Sequence, residues 1–490
     1  MFEYQEEALE WMKIREIDRN VRGGFLCHEM GLGKTRMMSR LIKEHLVPLT
    51  LILTTKTTVG SWLAELRLQS QFKFDCLEYK KNETVITPGR PTVLVATHHS
   101  VLKRNNRHFV QTLGHTWFED QTINRLIVDE AHILRNRNGS LFRDIQDIES
   151  RIRWGITATP YNNSNADIKA YTEFLKRELP ASAFNHYMCR KTRKEVDKGG
   201  RELVCSKHIY DFESEEELRM YEYVSGRIDD VNDWIANNAY RLPRHVQGLM
   251  RATMILRQRQ AAIHPQMVLD AEKVWRAQMP MMLGNPEDVG AWDPSKVTKF
   301  RHILDIVKKD QQKGESTMIV THFKTELDLL KQLLESSGIQ VKVLNGKTRP
   351  KERTKLEKHG NPITESHVGG FLDRIHSRDV PNDIIRLILS YIFQPCVLLL
   401  QIKAGGVGIS LPWVHHVINT SPDWNPFLEL QAIYRAYRIN TKHNVRVTSM
   451  YFRNTIDTNI QLRQSLKFKE SLKWTGDDPK SISEFIHMPE

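Results

Sequence analysis

Cysteine is scarce in this chain: Cys27, Cys76, Cys189, Cys205 and Cys396 are the five in 490 residues, and none forms a C-x-x-C pair. That excludes a zinc finger and a disulfide framework, and it fits a reducing compartment. No uninterrupted apolar run reaches the roughly 18 residues that a membrane span needs. The opening MFEYQEEALEWM is acidic and amphipathic, unlike a signal peptide. Internal repeats and low-complexity tracts are lacking too. An intracellular protein without zinc or a membrane anchor is expected.

What the chain has in excess is positive charge. Its 71 Lys and Arg against 59 Asp and Glu give a net charge of +12, with a pI near 9.3. Such a balance favours a polyanionic partner, nucleic acid above all, although charge speaks to binding and not to fold. Hydrophobic content of 40% and charged content of 27% are those of a globular protein. The length suits about two to four domains.

Short apolar, β-rich runs recur between helical stretches: TLILTT (50–55), TVLVATH (92–98), RLIVDE (125–130) and RWGITATP (153–160). A second set follows much later, as TMIVTHF (317–323), VKVLNG (341–346), CVLLLQ (396–401) and HHVINTS (415–421). Strands alternating with crossover helices predict an α/β fold with parallel sheets buried on both faces. Two such sets predict two lobes with a cleft between them. The interval is helical in pattern, and its basic cluster Arg190, Lys191, Arg193 and Lys194 reads equally well as a solvated face.

Three motifs carry chemistry. HEMGLGKT (28–35) ends like a phosphate-binding loop, with His28 where the strict pattern has glycine. Gly31 and Gly33 would let backbone N–H groups close on phosphates, Lys34 would meet the β- and γ-phosphates, and Thr35 would bind Mg²⁺. The following MMSRLIKEHL predicts a helix whose N-terminal dipole points at the anion. RLIVDEAH should present Asp129 and Glu130 at a strand end, the first to hold Mg²⁺ and the second to polarise water. DWNPFLELQAIYRAYRI reads as a helix capped by Asn425, with Pro426 at its first position. Gln431, Arg435 and Arg438 then fall on one face, in reach of a γ-phosphate across the cleft.

HEMGLGKT, DEAH, GITATP, IKAGGVGISL and DWNP followed by QAIYRAYRI stand in the order found in Swi/Snf-type ATPases. The chain resembles these double-stranded-DNA translocases of helicase superfamily two over nearly its whole length. YQEEALEW, TTKTTVGSWLAEL and LNGKTRPKER support the resemblance. It implies an α/β fold of two RecA-like parallel-sheet lobes with a helical insertion between them. The boundaries it suggests are 1–165 for the first lobe, 166–295 for the helical region, 296–460 for the second lobe and 461–490 for a tail.

The resemblance also implies roles. Gln5 would read adenine, and the loop Glu29, Met30, Gly31, Leu32, Gly33, Lys34 and Thr35 would hold ATP and Mg²⁺. Asp129 would complete the metal site and Glu130 would act on water. Thr157 and Thr159 would couple hydrolysis to lobe movement. Gly405, Gly406 and Gly408, with Gln431, Arg435 and Arg438, would complete the site from the second lobe. Duplex DNA would meet Lys56, Thr57, Thr58 and Trp424.

Departures are visible as well. Relatives usually have Asp at His28, and Tyr434, Tyr437 and Asn440 stand where they have Asp, His and Gly. DEAHILRNRNG and MILRQRQAAIHP look like the repair-associated branch, without the cysteines of its RING finger. The implied activity is ATP-dependent translocation on duplex DNA by a monomeric motor, remodelling protein–DNA complexes or serving viral repair or transcription. Its expected place is a nucleus, a viral factory or a virion, as for compact proteins of large DNA viruses. An ATPase working with RNA polymerase in viral transcription or termination is the alternative, and a scaffold with a dead motor a further one. Residues 361–395 form an insertion whose DVPNDIIRLILSYIF resembles the start of an F-box-like helix. It predicts either a helix packed on its own lobe or a docking site for a protein partner.

Overall fold

The computed structural model describes every residue except 81–85, 87–88, 102–122, 162–164, 177–178, 197–200, 239, 241, 279–291, 359–394, 405–408, 439–440, 442, 476 and 478–490. The described residues within 1–200 and from 466 onward form one compact unit, and those within 201–465 form the other.

The first unit is built on seven strands: β1 (Gly23–Leu26), β2 (Leu49–Thr54), β3 (Asp75–Glu78), β4 (Thr92–Thr97), β5 (Ile123–Asp129), β6 (Ser150–Ile156) and β7 (Met188–Cys189). Their order is β3-β4-β2-β5-β6-β1-β7, and all pairings are parallel. Successive residues of a strand point to opposite faces. Leu51, Leu53, Leu94, Leu126 and Val128 therefore enter one core, and Ile52, Val93, Val95 and Ile127 the other. Both faces are covered, which is why these strands read as unbroken apolar runs. Three helices matter to the site: α1 (Glu3–Ile17), α2 (Lys34–Glu44) and α3 (Val59–Ser70).

One charged knot lies within this core. Arg125 of β5 donates Nε and Nη2 to the two oxygens of Glu16 at 2.6 and 2.5 Å, and Trp154 Nε1 donates to Glu16 Oε1 at 2.8 Å. It ties α1 to the middle of the sheet.

The second unit holds β8 (Leu203–Tyr210), β9 (Thr317–Thr321), β10 (Val341–Leu344), β11 (Val397–Gln401), β12 (His416–Asn419) and β13 (Val445–Phe452). These pair in parallel in the order β10-β11-β9-β12-β13-β8. All eight β-rich runs of the sequence are strands here.

The helical interval is divided differently from the boundaries suggested by the sequence. Its first part carries helix Asn165–Leu175 and β7, which closes the first sheet, so the first unit runs on to residue 200. Its next part supplies β8, the edge strand of the second sheet, and only then come the helices Glu215–Asn238, Arg244–Ile263 and Pro265–Gln278. These helices count with the second unit, and residues 466–483 of the expected tail count with the first. Residues 361–394 of the insertion lie outside the described residues. Among the described residues no helix is long and apolar enough to cross a membrane.

Candidate nucleotide site

The phosphate-binding loop leaves β1 with its backbone pinned to the end of β7 and the residues after it. Cys27 N donates to Cys189 O at 2.7 Å, and Glu29 N to Lys191 O at 2.9 Å. Gly31 and Gly33 take φ of 82° and 81°, the left-handed region that favours glycine. At Gly33 space is short as well, since a Cβ there would lie 2.6 Å from Gln5 Nε2. Gln5 is buried and donates to Leu32 O at 3.1 Å, beside the Tyr4 hydroxyl, which donates to the same carbonyl. The residue expected to read adenine is thus fixed against the loop. Glu29 and Met30 are half-buried, and Glu29 Oε2 accepts from Arg193 N at 2.6 Å.

Lys34 opens α2 with Thr35 next to it, half-buried. Lys34 Nζ donates to His28 O at 2.7 Å and Glu29 O at 3.1 Å. Burial lowers its ammonium to about 8, against the pull of Glu130 and Asp129. The lysine therefore lies within the field of both carboxylates. His28 is buried, with its ring close to the Cys189 backbone and 6.0 Å from the Tyr4 ring. Burial, with Lys34 beside it, holds its imidazole down at about 3. Where the resemblance implies a carboxylate, this chain has a neutral ring.

β5 delivers Asp129 at its C-terminal end. Glu130 follows with φ of 50°, strained backbone of a kind that collects at functional sites. Asp129 Oδ2 accepts from Thr54 Oγ1 at 2.7 Å and Trp62 Nε1 at 2.8 Å, and Oδ1 accepts from Glu130 N at 3.0 Å. Burial and the adjacent Glu130 raise the Asp129 carboxyl, and those hydrogen bonds pull it only partly back. His98 Nε2 reaches Asp129 O at 2.8 Å, with its ring lowered to about 4 by burial.

The donor set suits Mg²⁺ bound together with a nucleotide. Among the described residues no three acidic, His or Cys groups could hold a metal by themselves. Phosphate oxygens would complete the oxygen shell that Mg²⁺ prefers. Two adjacent carboxylates near a single lysine leave negative charge for the cation to balance.

Thr157 and Thr159, both buried, follow β6 at the same end of the sheet, and Thr159 N donates to Thr157 Oγ1 at 3.1 Å. Lys56 and Thr57 are exposed and Thr58 half-buried, on the loop between β2 and α3.

The basic cluster is not a solvated face. Arg190 donates to Cys27 O at 2.7 Å and Ala158 O at 3.2 Å, and pairs with Asp477 at 2.6 Å. Arg193 is buried, and Lys194 alone of the four is exposed. Arg190 thereby ties the start of the phosphate loop to GITATP. The sequence showed its charge but not these carbonyls, which come from chain 32 and 163 residues away.

In the second unit, Asn425 caps the expected helix by accepting from Phe427 N at 3.2 Å, with Pro426 in the first turn. Gln431 is buried and Arg435 half-buried on that helix. The helix ends at Ala436, however, and Tyr437 turns away with its hydroxyl donating to Arg201 O at 3.0 Å. Arg438 lies past the end, so the expected single face of Gln431, Arg435 and Arg438 does not form. It is held instead by Nη2 donating to Ile409 O at 3.0 Å and by its N–H donating to Thr441 Oγ1 at 2.8 Å. Trp424 carries the Arg463 guanidinium 5.9 Å from its ring. Gly405, Gly406 and Gly408 lie outside the described residues.

Comparison with known families matches residues 4–206 to the SNF2-related domain and 372–440 to the helicase conserved C-terminal domain. The "Probable global transactivator" of Orgyia pseudotsugata multicapsid polyhedrosis virus is 24% identical, over 95% of this chain and 90% of its own length. Human SWI/SNF-related matrix-associated actin-dependent regulator of chromatin subfamily A member 1 is 23% identical, over 95% of this chain but 43% of its own length. An aligned solved structure is the Sulfolobus solfataricus SWI2/SNF2 ATPase core in complex with dsDNA, at 18% identity and a TM-score of 0.38, covering 100% of this chain and 97% of that one. With an SNF2-related domain followed by a helicase conserved C-terminal domain, the chain belongs to the Swi/Snf-type ATPase family.

Proposed function

We propose that this chain hydrolyses ATP with Mg²⁺ and uses the energy to move along duplex DNA without separating its strands. The observation that carries the reading is Lys34 opening α2 directly after the left-handed Gly31 and Gly33, with its ammonium on the loop carbonyls of His28 and Glu29. A triphosphate in the loop would take over the Lys34 ammonium from the carbonyls of His28 and Glu29. Mg²⁺, when bound, neutralises phosphate charge. Thr35 and Asp129 would hold it, and Glu130 would orient and polarise water. Gln5 would read the base. We assign to Arg435 and Arg438 the stabilisation of charge building on the triphosphate, and Gln431 supports them. Lys56, Thr57, Thr58 and Trp424 are assigned to the DNA backbone, in keeping with the positive net charge.

The viral relative, matched over 90% of its length, supports a narrower reading in which the motor serves viral transcription. Equilibrium binding of labelled ATP with and without Mg²⁺ tests the site. Wild type should bind more tightly with Mg²⁺, Asp129→Asn should lose most of that dependence, and Lys34→Ala should bind weakly in both conditions. Mg²⁺-dependent binding that survived unchanged in Asp129→Asn would refute the assignment.

A further inference from the structure

The loop between β2 and α3 has four threonines in five residues, Thr54-Thr55-Lys56-Thr57-Thr58. Their hydroxyls form a continuous line. Thr57 Oγ1 lies 2.9 Å from Thr55 Oγ1, Thr55 Oγ1 2.7 Å from Thr58 Oγ1, and Thr58 Oγ1 2.6 Å from Thr54 Oγ1. Thr54 Oγ1 then donates to Asp129 Oδ2 at 2.7 Å, where Trp62 Nε1 also donates. The line starts at the exposed Thr57 and ends on the carboxylate assigned to Mg²⁺.

Hydrogen counting sets its direction. An ionised carboxylate only accepts, so the single proton of Thr54 points at Asp129. Thr54 then accepts from Thr58, Thr58 from Thr55, and Thr55 from Thr57. Each link polarises the next, so the donor reaching Asp129 is strengthened by those behind it. One link has an alternative, because Thr58 Oγ1 also reaches its own loop at Thr55 O, 3.1 Å away. Its proton can serve Thr54 or that carbonyl, but not both. The line therefore contains an element with two arrangements, which physical coupling requires. A DNA phosphate is also an acceptor only, and it would compete for the hydroxyl protons of Thr57 and Thr58.

We infer that Thr54 and Trp62 are positioning residues for Asp129, and that the hydroxyl line Thr57–Thr55–Thr58–Thr54 couples a DNA phosphate at the loop to the Mg²⁺–nucleotide site. The inference rests on the proposed DNA and nucleotide roles and extends them with a route. It requires reciprocity: DNA changes affinity for Mg²⁺–nucleotide by the same factor that the nucleotide changes affinity for DNA.

The test is a binding cycle that needs no turnover. Affinity for a fluorescent non-hydrolysable ATP analogue with Mg²⁺ is measured with and without a short DNA duplex, and duplex affinity with and without the analogue. Wild type should show one coupling factor both ways, within about 5- to 150-fold. Thr55→Val removes one hydroxyl at constant size, outside the residues assigned to either ligand. It should leave each separate affinity and the basal ATPase within about twofold and bring the coupling factor close to one. Thr55→Ser, which restores the hydroxyl, should restore coupling, with thermal melting followed for each variant. Wild-type coupling in Thr55→Val, or loss of coupling in a folded Thr55→Ser, would overturn the relay. A wild type that bound neither duplex nor analogue would instead overturn the proposed function.

Discussion

Two aspartates at opposite kinds of sheet edge set the two units apart. Asp129 stands at the C-terminal end of β5 in the first sheet, and all three of its hydrogen bonds come from neutral donors, Thr54, Trp62 and the Glu130 amide. Asp310, on helix Thr298–Gln312, meets the N-terminal ends of strands in the second sheet. It accepts from Thr317 Oγ1 at 2.8 Å, His416 Nδ1 at 2.6 Å and Arg446 Nη2 at 2.7 Å. Burial pushes both carboxyls up. Glu130 adds to the rise at Asp129, whereas at Asp310 the bonds from His416, Thr317 and Arg446 prevail and hold the group below the ordinary carboxylate range. One site is closed by its own cation, and the other has charge to give to a ligand. In open parallel sheets ligands bind beyond the carboxyl ends of strands, and that is where the unbalanced acid lies.

Removing a carboxylate at each edge should separate chemistry from stability. Glu130→Gln should cut turnover by on the order of 10² to 10⁴ while ATP affinity changes little, because general-base assistance is lost and the metal ligand stays. Parent-rate hydrolysis would show that the pair is structural, like Asp310. The counterpart, Asp310→Ala, should leave the ATPase parameters of the folded protein near wild type and cost about 1–3 kcal/mol of stability in denaturant unfolding, since buried donors lose their acceptor. Its contribution also has a sign in pH. A lowered folded pKa stabilises above the ordinary value, so this stability disappears as pH falls through the acid range.

How much of this was legible in sequence differs between the two edges. The eight apolar runs became strands because a doubly covered parallel sheet leaves no polar alternation to confuse the pattern. β1 opens on two glycines and β7 has only two residues, so neither shows an apolar run, and their places come from pairing with β6 and with one another. The phosphate loop and the acid pair were readable because contiguous residues make them. The groups that aim Asp129 were not, since Thr54 and Trp62 precede it by 75 and 67 residues. Helical spacing also placed Arg438 on a face that Tyr437 breaks by anchoring outside the helix.

A smaller effect sharpens the contrast from the cation's side. Lys34 has its ammonium lowered to about 8 by burial, and a triphosphate prefers it charged. Above that pH the free protein must take up a proton to bind. Affinity for the ATP analogue should then fall about tenfold per pH unit as pH rises past 8, and stay flat just below it. An affinity level across that range would mean that the Lys34 ammonium either is not lowered in the free protein or does not meet the phosphates.

Steady-state hydrolysis without nucleic acid, with single-stranded DNA, with single-stranded RNA and with duplex DNA shows whether duplex drives the ATPase. Duplex should stimulate most, and the stimulation should fade as salt rises because phosphate contacts release counterions. No response to duplex, with equal stimulation by single-stranded RNA, would mean that duplex DNA does not drive this ATPase.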